Sequence, residues 1–465
     1  MKNNILLLCT IFTLTSLFVQ GQGYKINFSH DKTAHDSLCF QKYNGTAFVT
    51  QQRIANSPAV VFKGKELLTP GMYQITGDSV TLAEIIISGS EKIDRLSISV
   101  SGEDIVFENS PENTAYVAYI KEMYQYRKIM GEYEKEFQDL QKSTMPDYMK
   151  QNMADNIMGK AQATELAHKT YQEDLIKTHE GNLLASIVKA GLEIPPPPQN
   201  FYQNRMLLYS YFAEHTFDSY PFEDERLLYT QMTSDKIREY AGLLYEFENE
   251  DGAPYLKMLL KKMRISTKTY YLFFDQLEKV LGSIYSPYRS EDLYIIMLQD
   301  ALTLPELEEA RKVRYTRELS LININRRGSQ LPDFDIMLEN DSITSLHKIQ
   351  CNYMIIYFQN PDCPTCISVR EAMAKMPTLI QAVNNGKVKV LTIYFEDNEP
   401  LWRKYLKEAA NPSYINGWNY THNLEQDNLF DLRTIPYLFL VDKDKRVIKK
   451  DLLINEIEYY IRNLK

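Results

Sequence analysis

The chain has 465 residues, 44% hydrophobic, 24% charged and 12% aromatic, which excludes a disordered, collagenous or small disulfide-scaffold protein. That length is enough for about three domains with cores of their own. A formal charge of −9 speaks against a nucleic-acid or anionic-membrane surface, which needs a basic face, and five cysteines are too few for a disulfide framework, so their positions carry the argument.

Lys2 precedes an apolar run over residues 5–19, the length of a signal-peptide core and short for a membrane span. Val19 and Gly21 offer side chains acceptable at the −3 and −1 positions, so cleavage is expected after Gly21. A lipoprotein signal ending at Cys9 is the rival reading, disfavoured because most of the apolar core follows that cysteine. No later window is apolar enough for a membrane helix, so an exported chain, in the periplasm or associated with the envelope, is expected. In such a compartment disulfides form and persist.

From residue 22 to about 110 the pattern is that of a β-sandwich domain. Short runs at 24–28, 59–62, 82–88 and 96–100 are separated by turn signals such as Asn44-Gly45, Pro70-Gly71 and Ser101-Gly102. At Ser110-Pro111 the character changes: Ser110 can cap a helix with Pro111 at its first position, and Tyr116, Tyr119, Ile120, Met123 and Tyr124 recur at helical spacing. An all-α domain is expected over 111–325, with one rigid break at Pro195-Pro196-Pro197-Pro198 and a last helix over 304–319.

Beyond the polar junction Arg326-Arg327-Gly328-Ser329, residues 331–465 alternate strands and helices. An apolar strand over 353–358 leads into Cys363-Pro364-Thr365-Cys366 and a helix extending to about Val383. A buried strand at 388–395, a helix at about 399–410, a hairpin over 437–449 and a terminal helix bearing Ile454, Ile457, Tyr460 and Ile461 complete an α/β domain with a mixed sheet.

Three features in order carry a resemblance: Cys363-Pro364-Thr365-Cys366 between an apolar strand and a helix, then Thr434-Ile435-Pro436, then a hairpin. Residues 331–465 thereby resemble the thioredoxin-like domain of exported TlpA/ResA-type thiol-disulfide oxidoreductases. A zinc site is the competing reading of the cysteine pair, but no second C-x-x-C or histidine pair completes four ligands, and no metal is expected. A thiol at a helix start is stabilised as thiolate by unpaired N–H groups and the helix dipole, which makes Cys363 the nucleophile. Cys366, one turn on, is the resolving thiol, and the Cys363 to Cys366 disulfide takes the place of a cofactor. The resemblance implies that Pro436 is cis and that Ile435 and Pro436 bind an extended substrate. By itself Pro436 reads equally well as the start of an edge strand.

Many thioredoxins carry Trp before the first cysteine and an acid six positions before it, where this chain has Asp362 and Tyr357. Asp362 and Glu396 are the reserve candidates for proton transfer, although a solvated role suits both carboxylates better. Cys39 and Cys351 read as free thiols, and the seven histidines show no ligand spacing. The acids at 218 and 223–225 lack the order of a calcium loop.

The full layout, with Ser110-Pro111-Glu112-Asn113 ending the β-rich part and Tyr220-Pro221-Phe222-Glu223-Asp224-Glu225 in the helical part, resembles exported Bacteroidetes proteins. In these, uncharacterised β and helical domains precede a thioredoxin-like module. Two functions remain open on the sequence: a periplasmic thiol-disulfide oxidoreductase acting on protein cysteines and fed by an upstream electron donor, or a non-catalytic envelope scaffold with a vestigial module. A reactive, accessible Cys363 distinguishes them, and the resemblance leans towards a reductant.

Overall fold

The computed structural model describes residues 23–31, 35–89, 96–247 and 251–464, and the expected export segment and Cys9 lie outside them. The chain divides into two compact units at Val280/Leu281.

The first unit begins with eight strands: β1 (Tyr24–His30), β2 (Ser37–Tyr43), β3 (Phe48–Ala55), β4 (Ala59–Gly64), β5 (Gly71–Gly77), β6 (Val80–Ile87), β7 (Leu96–Ser101) and β8 (Asp104–Glu108). They form two four-stranded sheets, ordered β4-β1-β7-β8 and β3-β2-β5-β6. Both sheets feed one apolar core, in which Ile26, Phe28, Phe62 and Ile98 of the first meet Phe40, Tyr73, Ile75 and Ile85 of the second. The sequence runs named four of these strands. β2 escaped alternation because Leu38, Cys39 and Phe40 are buried in succession beside a bulge at Phe40/Gln41, and β3 because its Thr50, Gln51 and Gln52 leave it mostly polar. Gly102, at a φ of +60°, makes the tight β7–β8 turn that a side chain would disfavour.

Among the described residues seven α-helices follow: α1 (Pro111–Lys142), α2 (Asp147–Thr178), α3 (Leu183–Ala190), α4 (Arg205–His215), α5 (Gln231–Tyr245), α6 (Ala253–Met263) and α7 (Thr267–Leu277). Ser110 caps α1 as its sequence position implies, its side chain accepting the N–H of Asn113, with Pro111 in the first turn. α1 and α2 form a long hairpin, in which the Tyr126 ring stacks on buried His168 and Nδ1 of that histidine pairs with Glu122 at 2.9 Å. The buried Glu112 carboxylate accepts hydrogen bonds from Ser88 Oγ at 2.7 Å and from the N–H of Leu184 at 2.9 Å. An acid thus satisfies one open donor in the first turn of α3, and Ser88 Oγ accepts the neighbouring N–H of Leu183 at 2.6 Å. The four prolines lie in the stretch between α3 and α4, outside regular structure up to Pro198.

The second unit opens with α8 (Glu291–Ala301) and α9 (Glu309–Ile322), so the polar stretch 326–329 lies inside this unit. Then come β9 (Asp335–Leu338), β10 (Ile343–Ser345), β11 (Tyr353–Phe358), α10 (Pro364–Ala374), α11 (Pro377–Asn384), β12 (Val388–Tyr394) and α12 (Glu399–Glu408). β13 (Ile415–Trp418), α13 (Asn423–Gln426), β14 (Tyr437–Asp442), β15 (Val447–Lys449) and α14 (Ile457–Asn463) complete it. The strands form one mixed seven-stranded sheet, ordered β10-β9-β13-β12-β11-β14-β15, with β11, β12 and β13 parallel and β14 antiparallel to β11.

Alternate side chains of the central strands fill two cores, one on each face of the sheet. Ile356, Phe358, Leu391, Ile393 and Phe439 point one way, and Ile355, Tyr357, Val390, Leu438 and Leu440 the other, against Met373, Leu379, Ile457 and Ile461 of α10, α11 and α14. The single helix expected from the cysteine pair to Val383 is two helices. Pro377 ends it, since a proline inside a helix removes a hydrogen bond and collides with the preceding turn.

Candidate active site

β11 is buried along nearly its whole length, and it delivers the chain to one end of the sheet at Phe358 with little freedom. The N–H of Gln359 still bonds the carbonyl of Ile393, after which Asn360 turns the chain, its Oδ1 accepting the N–H of Asp362 at 2.8 Å and its carbonyl the N–H of Cys363 at 3.1 Å. Cys363 is then the N-cap residue of α10, with Pro364 at its first position, and the carbonyl of Cys363 accepts the first helical bond, from Ile367, at 2.9 Å. Both cysteines are free thiols; Cys363 is half-buried and Cys366 fully buried.

Their environments push the two thiols apart. Partial burial raises Cys363, but hydrogen bonds from the backbone and side chain of Cys366 and of Thr365 outweigh it, and its pKa lies below the ordinary 9.0. Cys366 is pushed up to about 12, first by burial and then by the neighbouring Cys363. The arrangement therefore holds one half-buried thiol that ionises more readily than an ordinary cysteine and a buried one that ionises less readily.

The phenol of Tyr357 occupies the place where many thioredoxins carry an acid. It is buried, and its hydroxyl donates to the carbonyl of Cys366 at 2.7 Å. Sequence reasoning missed its surroundings. Arg370, one turn beyond Cys366 on α10, donates to Gln359 Oε1 at 3.1 Å and lies over the Tyr405 ring at 5.2 Å. The available signal was that four-residue spacing from Cys366. Among the described residues, Nε2 of Gln359 and the hydroxyl of Tyr394 are buried without a hydrogen-bond partner.

The other singled-out residues gather at the same end of the sheet. Pairing of Phe358 with Tyr437 brings Ile435 and Pro436 beside the loop that carries the cysteines, and the Ile435–Pro436 bond is cis. Asp362 and Glu396 are exposed; Glu396 accepts a hydrogen bond from Asn360 Nδ2 at 2.8 Å, which ties the β12 end to the cysteine loop. Burial first, then the charges of Glu396 and Asp362, push the nearby Tyr394 phenol up to about 12. Cys39 is buried and Cys351 half-buried, both free. Among the described residues no three His, Cys, Asp or Glu side chains cluster as metal ligands, and no helix is long and apolar enough to cross a membrane.

Comparison with known proteins gives this geometry a context. Residues 169–325 match a family described only as a domain of unknown function, DUF5106. No curated protein matches the chain. A solved thioredoxin-like protein from Bacteroides caccae is similar, at 26% identity and a TM-score of 0.55, over 59% of this chain and 99% of its own. The C-terminal domain of an uncharacterized protein from Bacteroides fragilis matches at 29% identity, over 30% of this chain and 99% of its own, with a TM-score of 0.29. The thioredoxin domain of a thiol-disulfide oxidoreductase from Bacteroides vulgatus matches at 19% identity, over 29% and 98%, with a TM-score of 0.26. Scores this low for the last two add no weight, and the likeness rests on the first: over more than half its length the chain is similar to a thioredoxin-like protein of Bacteroides.

Proposed function

We propose that the chain is a thiol-disulfide oxidoreductase of the cell envelope, acting on protein cysteines through the Cys363 and Cys366 pair. The observation that carries the reading is the opposed setting of the two thiols, one lowered and accessible at a helix start, the other buried and raised to about 12. In this reading the Cys363 thiolate attacks one sulfur of a partner disulfide, forming a mixed disulfide and expelling the partner's other sulfur as thiolate. Cys366 then gives up its proton and attacks Sγ of Cys363, which releases the second partner thiolate and leaves Cys363 joined to Cys366. Two electrons have passed to the partner, and an upstream dithiol donor returns them.

Ile435 and Pro436 offer backbone to an extended substrate beside the nucleophile, and Asp362 or Glu396 takes up the Cys366 proton through solvent. The redox-active disulfide is the only prosthetic chemistry required. The apolar run at residues 5–19 and the cleavage point after Gly21 support export to the periplasm. The resemblance to TlpA/ResA-type proteins favours the reductant direction. Equilibration of the mature chain in a glutathione series, with trapping of free thiols, tests the reading: a single two-electron transition of Cys363 and Cys366 is expected, and a pair that stays reduced at every poise contradicts it.

A further inference from the structure

The loop before β14 is held by charge as well as by packing. Leu432 is buried, but the next residue, Arg433, spreads its guanidinium between two carboxylates. Its Nε and Nη2 donate to Asp431 Oδ1 and Oδ2, both at 2.8 Å, and its Nη1 and Nη2 donate to Glu318 Oε1 and Oε2 of α9 at 2.8 and 3.2 Å. Both carboxylates are partly withdrawn from water, Glu318 being 27% and Asp431 22% exposed. A planar guanidinium engaged by two forks has one geometry, which a single ammonium contact would not impose. α9 is itself anchored. Buried Lys450 donates to the carbonyls of Ile322 and Ile324 at 3.0 and 2.8 Å, at the helix end, and to Glu291 Oε1 in the first turn of α8 at 2.9 Å.

Beside this network lies a cavity of about 110 Å³, lined by Glu318, Arg433, Thr434 and Tyr437 among others. Thr434 borders this space, while Leu432 before it and Ile435 after it pack against the apolar core, so the salt-bridged residues flank the one stretch of the loop that packing leaves open. The next two residues are Ile435 and Pro436.

We propose that Glu318, Arg433 and Asp431 form a clamp through which α9 positions the Ile435–Pro436 loop for substrate, making Arg433 a positioning residue of the redox site. The inference rests on the proposed function for its substrate but not for its geometry. It assigns the helices ahead of the mixed sheet a part in substrate binding while the dithiol chemistry stays with α10.

The test uses the chain from residue 22 on with Glu318→Gln, Arg433→Ala and the charge swap Glu318→Arg with Arg433→Glu, the swap carrying Asp431→Asn so that no like charge faces position 433. Hydrogen exchange over 431–435 is expected to quicken several-fold in the two single variants and to return towards the parent value in the swap. With insulin as the disulfide substrate, KM is expected to rise roughly tenfold in the single variants, with kcat and the rate of Cys363 alkylation by iodoacetamide unchanged. Unchanged exchange in both single variants overturns the clamp, and so does a KM unaltered where exchange has quickened. If the parent chain leaves insulin disulfides intact, the proposed function fails on that substrate while the exchange measurement still decides the clamp.

Discussion

At the scale of single residues, the site is an unequal pair of thiols set by ordinary forces. Cys363 gains hydrogen bonds at the open end of α10, and Cys366 loses water. Cys363→Ser should abolish disulfide exchange, whereas Cys366→Ser should arrest it with the partner bonded to Cys363. A mixed-disulfide band on a non-reducing gel, present in the second variant and missing in the first, checks this; equal trapping by both contradicts it. Tyr357 makes a narrower prediction. Its hydroxyl bonds a carbonyl rather than carrying charge, and burial first, then the adjacent Cys366, holds its pKa above the ordinary 10.0. Tyr357→Phe should therefore cost about 1 kcal/mol in urea unfolding for the lost buried hydrogen bond, and leave Cys363 alkylation unchanged. A large fall in the alkylation rate would instead give the phenol a share in activating the nucleophile.

At the scale of elements, the position of the thiols is set by β11. Phe358 is fully buried at its end, among Phe334, Phe430 and Phe439, one residue before the loop begins. Phe358→Ala should destabilise this unit by about 3–5 kcal/mol and loosen the cysteine loop with it, read as a lower urea midpoint and a faster reaction of Cys366 with alkylating reagents at neutral pH. Much of this architecture was legible in the sequence. β11 is buried on both faces and so reads as a continuous apolar run, β12 does so apart from exposed Lys389 and buried Thr392, and Ser110-Pro111 marks the start of α1 by cap chemistry that needs no tertiary context. What escaped depends on contacts across the fold. β13 is only four residues long and interrupted by Gly417, and its strand character comes from pairing with β12 and β9. Pro377 was a local signal that the apolar periodicity around it masked. At the site, the cysteines and the Ile435–Pro436 pair could be found by motif and spacing, but Arg370, Gln359 and Glu318 could not, because only folding brings them to the cysteines or to the loop at 431–436.

At the scale of the whole molecule, two units each carry carboxylates that fold into cationic or hydrogen-bonded company. Burial raises Asp224 and Asp431, and hydrogen bonds outweigh it, from Arg226 and Ser186 in the first unit and from Arg433 in the second, so both lie below the ordinary 3.8. A carboxylate with a depressed folded pKa adds stability that is complete above its unfolded value and drains away as pH falls through the folded one. The urea midpoint should therefore be flat from neutrality to about pH 5 and decline below about pH 4, and a midpoint that rises on acidification contradicts the assignment. Redox chemistry at Cys363 is tested most directly by the rate of its alkylation against pH in the chain from residue 22 on, with Cys39 and Cys351 replaced by Ser. A single titration is expected, with its midpoint below 9.0, the ordinary cysteine value, while Cys366 stays unreactive until well above it. A midpoint at or above 9.0, or equal reaction of both thiols, would contradict it.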